Sequence, residues 1–151
     1  MFEKEMKKLI GSGKIKIIDL PTKREEIRGN QISLLNDDLD NAETLFGMKK
    51  FRGAYIHAFD ALERIIDVVL IEKGYKASDR YARRIAIGNV LGKEFLEKYE
   101  NLFGKRKDGM YDTYGIISEH DSTELLEEMI PKLAEDFGIA ISKTANKNNI
   151  S

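Results

Sequence analysis

The strongest pattern in the chain is an apolar recurrence at steps of three and four residues between Phe51 and Lys73. Phe51, Tyr55, Ala58, Phe59, Leu62, Ile65, Ile66, Val69 and Leu70 make one wide band, which predicts a helix buried against more than one neighbour. Gly74 ends it. Upstream, Ile27, Leu34, Leu35, Leu39, Ala42, Leu45 and Phe46 keep the same period, with Asp37, Asp38, Asp40 and Glu43 on the expected solvent face. Thr22, followed by Glu25 and Glu26, resembles a capped N-terminus, where acidic groups suit the helix dipole. Gly29 and Asn30 weaken the first part of this helix, and Gly47 is its expected C-cap. The connection from Gly47 to Lys50 is short, so the two helices are expected to pack antiparallel.

The flanking segments are shorter. Phe2, Met6, Leu9 and Ile10 predict a brief amphipathic helix closed by Gly11-Ser12-Gly13. Ile15, Ile17 and Ile18 form an apolar patch, either extended or a docking segment. No β-hairpin signal stands out, and residues 1–21 read as an appendage. Ser78 is the expected N-cap of a helix to Leu91, with Tyr81, Ile85 and Leu91 inward. A further helix over 93–106 turns Phe95, Leu96, Tyr99, Leu102 and Phe103 inward, and Asp112 to Gly115 reads as a turn. Ser118-Glu119-His120-Asp121 matches a capping box, with Asp in the acidic position. The last helix, running to Phe137, uses Leu125, Leu126, Met129, Ile130 and Leu133, and Pro131 is expected to kink it. Residues 138–151 read as a polar, frayed tail. The result is an all-α fold: an antiparallel up-and-down bundle of about five helices over residues 22–137.

Composition narrows the function classes. Hydrophobic residues at 42% support a folded core, and charged residues at 34% favour ion-paired helix surfaces. The net charge of −1 gives no whole-molecule attraction to nucleic acid. The absence of cysteine excludes disulfides and thiolate metal sites. No apolar run is long enough to span a membrane, and MFEKEMKKLI lacks the apolar core of a signal peptide, so a cytoplasmic protein is expected. The high charge content also fits a thermophile.

Several chemistries drop out. There is no Gly-x-Ser-x-Gly and no phosphate-binding Gly-rich loop. His57 and His120 are the only histidines, and no Glu-x-x-His pair of the di-metal bundle type occurs. No metal or cofactor is expected, and His57 reads as a structural residue. Basic residues concentrate at Arg80, Arg83 and Arg84 and again at Lys105-Arg106-Lys107, while residues 119–136 hold seven acids and one Lys132. Two readings stay open. The basic groups attract phosphate as one face, or they pair with acidic helices and serve a helix C-terminus. Burial is expected for Tyr81.

One resemblance organises these pieces. Asn41-Ala42-Glu43-Thr44-Leu45-Phe46, then Tyr55-Ile56-His57-Ala58-Phe59-Asp60-Ala61-Leu62-Glu63, then Lys73-Gly74-Tyr75-Lys76, Leu102 to Tyr111 and Ile117-Ser118-Glu119-His120-Asp121 follow the order of the HEPN domain. That family consists of small helical domains of prokaryotic nucleotidyltransferase-linked and toxin–antitoxin systems. The resemblance covers roughly residues 30–137. It implies a homodimer, and either a binding module partnering a small nucleotidyltransferase or a metal-independent endoribonuclease with its site in the dimer cleft.

In ribonuclease members of that family an Arg is followed by four to six residues and a His. Here Arg106 matches the Arg, and Tyr111 stands in place of the His. By that resemblance Arg106 stabilises the phosphorane charge, Asp108 orients Arg106 or a water, and Tyr111 completes the catalytic set. Arg80, Arg83, Arg84, Lys105, Lys107 and Tyr114 are the expected RNA- or nucleotide-binding residues, with the tyrosines hydrogen-bonding or stacking on a base. Tyrosine, with a pKa near 10, is a poor general base where histidine is a good one. On a straight helix positions 106 and 111 also lie about 140° apart. They converge only if Gly109 breaks the helix or a second subunit completes the cleft.

Overall fold

The helices fall where the apolar period places them. They are α1 (Phe2–Gly11), α2 (Pro21–Gly47), α3 (Phe51–Glu72), α4 (Arg80–Leu91), α5 (Lys93–Tyr111), α6 (Glu119–Thr123) and α7 (Ile130–Asp136). A π-helical stretch, Glu124–Met129, joins the last two, and two short strands, β1 (Ile15–Ile17) and β2 (Tyr75–Ala77), complete the elements among the described residues. The computed structural model describes the backbone of residues 2–111 and 117–141, and the side chains of 2–107 and 117–141. The turn expected at Asp112 to Gly115 and residues 142–151 of the tail lie outside the described residues. Among the described residues no helix is long and apolar enough to cross a membrane.

The chain divides into two compact units: Met1–Asn30 with Ile66–Asn101, and Gln31–Ile65 with Leu102–Ser151. Both α2 and α3 contribute to each unit.

In the first unit β1 and β2 pair antiparallel, with Ile15 opposite Ala77 and Ile17 opposite Tyr75. Of the two readings of Ile15, Ile17 and Ile18 the extended one holds for Ile15–Ile17, and the strand pairing is one that no hairpin signal announced. The strands have three residues each and lie far apart in sequence, so no local turn announces them. Gly74 makes the approach possible. Its φ is 89°, and a Cβ there would sit 2.7 Å from Arg24 Nη2, while Arg24 Nε donates to the Ile18 carbonyl. Residues 1–21 supply Met6, Leu9 and Ile15 to the core. The Phe2 ring lies over α4 at Gly88, where a Cβ would come within 2.7 Å of it.

Three local expectations change in this unit. α2 begins at Pro21, ahead of Thr22, because proline's fixed φ and missing N–H suit the first helical position. The N–H groups of Lys23 and Arg24 donate to the Leu20 carbonyl. Asp79, not Ser78, caps α4, accepting from the Ala82 N–H at 2.8 Å. Tyr81 is 48% exposed and donates to Glu5 at 2.9 Å. The buried face of α4 is Ala82, Ala86, Ile87 and Gly88.

In the second unit α2 and α3 form the expected antiparallel hairpin. Leu45 meets Gly53 near the turn, and Arg64 reaches Asp38 and Gln31 further along. Lys49, not Gly47, takes the left-handed conformation after α2 (φ 60°). Lys50 N–H donates to the Leu45 carbonyl and Lys49 N–H to the Phe46 carbonyl, a Schellman closure. Leu34 is 41% exposed, and the buried stripe of α2 is Leu35, Leu39 and Ala42. Tyr55, Ala58, Phe59, Leu62 and Ile65 are buried along α3.

Ser122 is fully buried and donates to the Phe51 carbonyl at 2.8 Å, tying α6 to the first turn of α3. The capping box forms as read: the Asp121 N–H donates to Ser118 Oγ, and the Ser118 N–H to Asp121 Oδ2. Pro131 interrupts the last helix in a specific way. It supplies no N–H to the Glu127 carbonyl and crowds it, and the ladder ahead of it widens so that Ile130 N–H reaches the Leu125 carbonyl. Gly138 (φ 65°) then closes α7, and the chain returns to bury Ile139 and Ile141. The first residues of the expected polar tail are therefore part of the core.

Candidate functional site

On α3, His57, Asp60 and Arg64 recur at spacings of three and four, which puts them on one helix face. This face borders the apolar band and lies within the second unit. The antiparallel hairpin brings Asp38 of α2 against it, and α5 brings Arg106. Ligand atoms of Asp38, His57 and Asp60 all lie within 4.8 Å of one another.

Two ion pairs frame this group. Arg106 Nη2 donates to Asp60 Oδ1 at 3.2 Å, and Arg64 Nε faces Asp38 Oδ2 at 3.6 Å. The Arg106 guanidinium also lies 5.6 Å from the centre of the Phe59 ring, within cation–π range. Phe59 in turn meets Phe103 edge to face at 6.0 Å. The Asp38 and Arg106 side chains are largely covered, at 19% and 22% exposure, and Asp60 is more open at 35%. Burial raises the Asp38 carboxyl above its usual range, and the neighbouring Asp60 adds to this. Arg64 and His57 partly offset both effects. Tyr55, one turn away, is no proton acceptor: burial drives its phenol upward, and its hydroxyl donates to the Leu102 carbonyl at 3.2 Å.

Two carboxylates and two guanidiniums thus balance around one imidazole. The imidazole and carboxylates are the groups able to hold a cation or pass a proton, and the guanidiniums hold the carboxylates in place. By sequence pattern Asp38 falls on the solvent face of α2 and His57 is structural; the hairpin places both in this cluster. The signal for the cluster was in the hairpin itself: counted outward from the turn at 48–50, Asp38 stands level with Asp60, as Leu45 does with Gly53.

The residues singled out from sequence are distributed differently. Arg80 and Arg84 both pair with Glu100, at 3.2 and 2.6 Å, and Arg83 pairs with Asp67 at 2.6 Å. These belong to the first unit, whereas Lys105–Lys107 belong to the second. Lys105 pairs with Asp121 at 3.0 Å, and Lys107 is exposed. The α5 backbone stays helical through Gly109 to Tyr111, so the helix break that would draw positions 106 and 111 together is absent. The side chains of Asp108 and Tyr111, and all of Tyr114, lie outside the described residues. In the first unit a shallow groove of about 510 Å³ is lined by Phe2, Arg84, Lys93, Leu96 and Glu100, and its arginine is already paired.

Comparison of the chain with protein-family models, with curated proteins and with solved structures returned no match in any of the three.

Proposed function

We propose that the chain is a HEPN-like helical interaction module, the dimeric partner of a small nucleotidyltransferase in a toxin–antitoxin or nucleotide-linked stress system. The observation that carries this reading over the catalytic one is the engagement of Arg106. A ribonuclease arginine must present its guanidinium to a phosphate, whereas Arg106 is drawn onto Asp60 and the Phe59 ring. The other arginines expected to attract phosphate are likewise matched by Glu100 and Asp67. Tyr111 in the histidine position removes the obvious proton carrier.

The endoribonuclease reading keeps one support. His57 lies in the same cluster as Asp60, the carboxylate that holds Arg106, so an imidazole is present near that arginine although its motif position is empty of one.

Co-expression with a nucleotidyltransferase encoded beside this chain, followed by size-exclusion chromatography with light scattering, tests the module reading. The expected result is co-elution as a stoichiometric complex. Separate elution of the two proteins contradicts it.

A further inference from the structure

We propose that Asp38, His57 and Asp60 form a binding site for a first-row transition dication of the zinc or manganese(II) kind. The site is independent of the partner reading above. Its three donors come from two helices held by a packed hairpin, and their ligand atoms lie within 4.8 Å of one another.

Unpartnered atoms within the cluster support this. His57 Nδ1 is buried and has no hydrogen-bond partner among the described residues. Asp38 Oδ2 is equally buried and is ion-paired with Arg64 Nε at 3.6 Å, a spacing that leaves both atoms without a hydrogen bond. A buried imidazole nitrogen without a partner is rare, and a bound ion or water is one way to satisfy it. An imidazole with two carboxylates selects within the ions. Magnesium and calcium take oxygen ligands, whereas zinc and its neighbours accept mixed nitrogen and oxygen sets. Three protein ligands leave a further position open to water or to a bound molecule, the arrangement of reactive rather than purely structural zinc sites.

The arginines fit this role as outer partners. An ionised carboxylate offers about four lone-pair positions, so the Asp60 oxygen held by Arg106 leaves others for an ion. Such outer contacts orient ligating carboxylates. They also offset the carboxylate charge, so the site is weaker than a closed structural zinc site. Bonds of about 2.0–2.2 Å require the donors to draw closer together, and Asp60, at 35% exposure, is the one with room to swing.

The full-length, untagged protein is titrated with zinc by calorimetry and with manganese(II) while its histidine ring signals are followed by NMR. With only two histidines in the chain, each signal is assignable by substitution. The expected result is one saturable equivalent of zinc, with the His57 signals broadened by manganese and those of His120 spared. His120 is exposed and sits 3.6 Å from Glu124, so it is the internal control for surface binding. His57→Gln and Asp38→Asn should each weaken zinc binding by at least about tenfold, and His120→Gln should leave it unchanged. No saturable binding, or binding lost with His120→Gln and retained with His57→Gln, overturns the site. If His57→Gln does not fold, the wild-type ring signals decide: broadening of His120 alone overturns it.

Discussion

Arg106 donates to Asp60 at 3.2 Å, and its guanidinium lies over the neighbouring Phe59 ring at 5.6 Å. One side chain of α5 is thereby fixed to two successive residues of α3. Arginine suits this because a planar, weakly hydrated cation can serve a carboxylate and a ring together. Asp60→Asn and Arg106→Met should each lower stability by about 1–2 kcal/mol, the range for a charged hydrogen bond discounted for partial exposure. The double variant should lose less than the sum, with a coupling of about 0.5–1.5 kcal/mol in urea unfolding. Strict additivity would contradict the pairing.

Ser122 is fully buried, with one strong acceptor, the Phe51 carbonyl. Ser122→Ala removes that bond and leaves a small gap. The expected cost is about 1–2 kcal/mol, read as a fall in melting temperature of about 2–8 °C. Ser118→Ala tests the neighbouring cap and should cost about 1 kcal/mol.

Asp121 supplies the pH dependence. Burial acts to raise its carboxyl, but hydrogen bonds from the Ser118 backbone and from Lys105 outweigh this and hold it below the usual carboxylate range. A carboxylate with a depressed folded-state pKa contributes stability above its unfolded value and loses it as pH falls through the folded one. Thermal melts should therefore show a drop in stability as pH falls below about 4. Asp121→Asn should flatten this limb. An acid limb unchanged by Asp121→Asn would show that other carboxylates dominate it.

Backbone conformation gives two stabilising changes. Gly29 lies within α2 with open space where a Cβ would go, so Gly29→Ala should add about 0.5–1 kcal/mol. Lys49 holds a φ of 60°, which costs a residue with a Cβ about 1–2 kcal/mol, and Lys49→Gly should recover part of it. Gly88→Ala has the opposite sign, because the Phe2 ring occupies the place of the new methyl. A loss of about 1–3 kcal/mol is expected, reduced when Phe2→Ala is made as well. Equal losses in both backgrounds would contradict the contact.

The helices were legible because their apolar residues repeat at helical spacing, and the Ser118–Asp121 box because its partners are three residues apart. What escaped depends on distant pairs. β1 meets β2 across almost sixty residues of intervening chain, which no local signal reports. Asp38 looked like one more acid on a solvent face until the hairpin set it against His57 and Asp60. Tyr81 was expected in the core by its period, but Ala82, Ala86, Ile87 and Gly88 take the buried face of α4 and the Tyr81 hydroxyl donates to Glu5. Ile139 and Ile141 were hidden by the polar tail that follows them, since their burial depends on the reversal at Gly138. The basic cluster was visible in the sequence; that its arginines meet Glu100, Asp67 and Asp60 was not.

That Arg106 serves the fold, and does not present its charge to a phosphate, is tested most directly by incubating purified protein with RNA in the absence of metal. The predicted result is no cleavage above the buffer blank for the wild type or for Arg106→Ala. Cleavage by the wild type that Arg106→Ala abolishes, with the variant still folded, would contradict it.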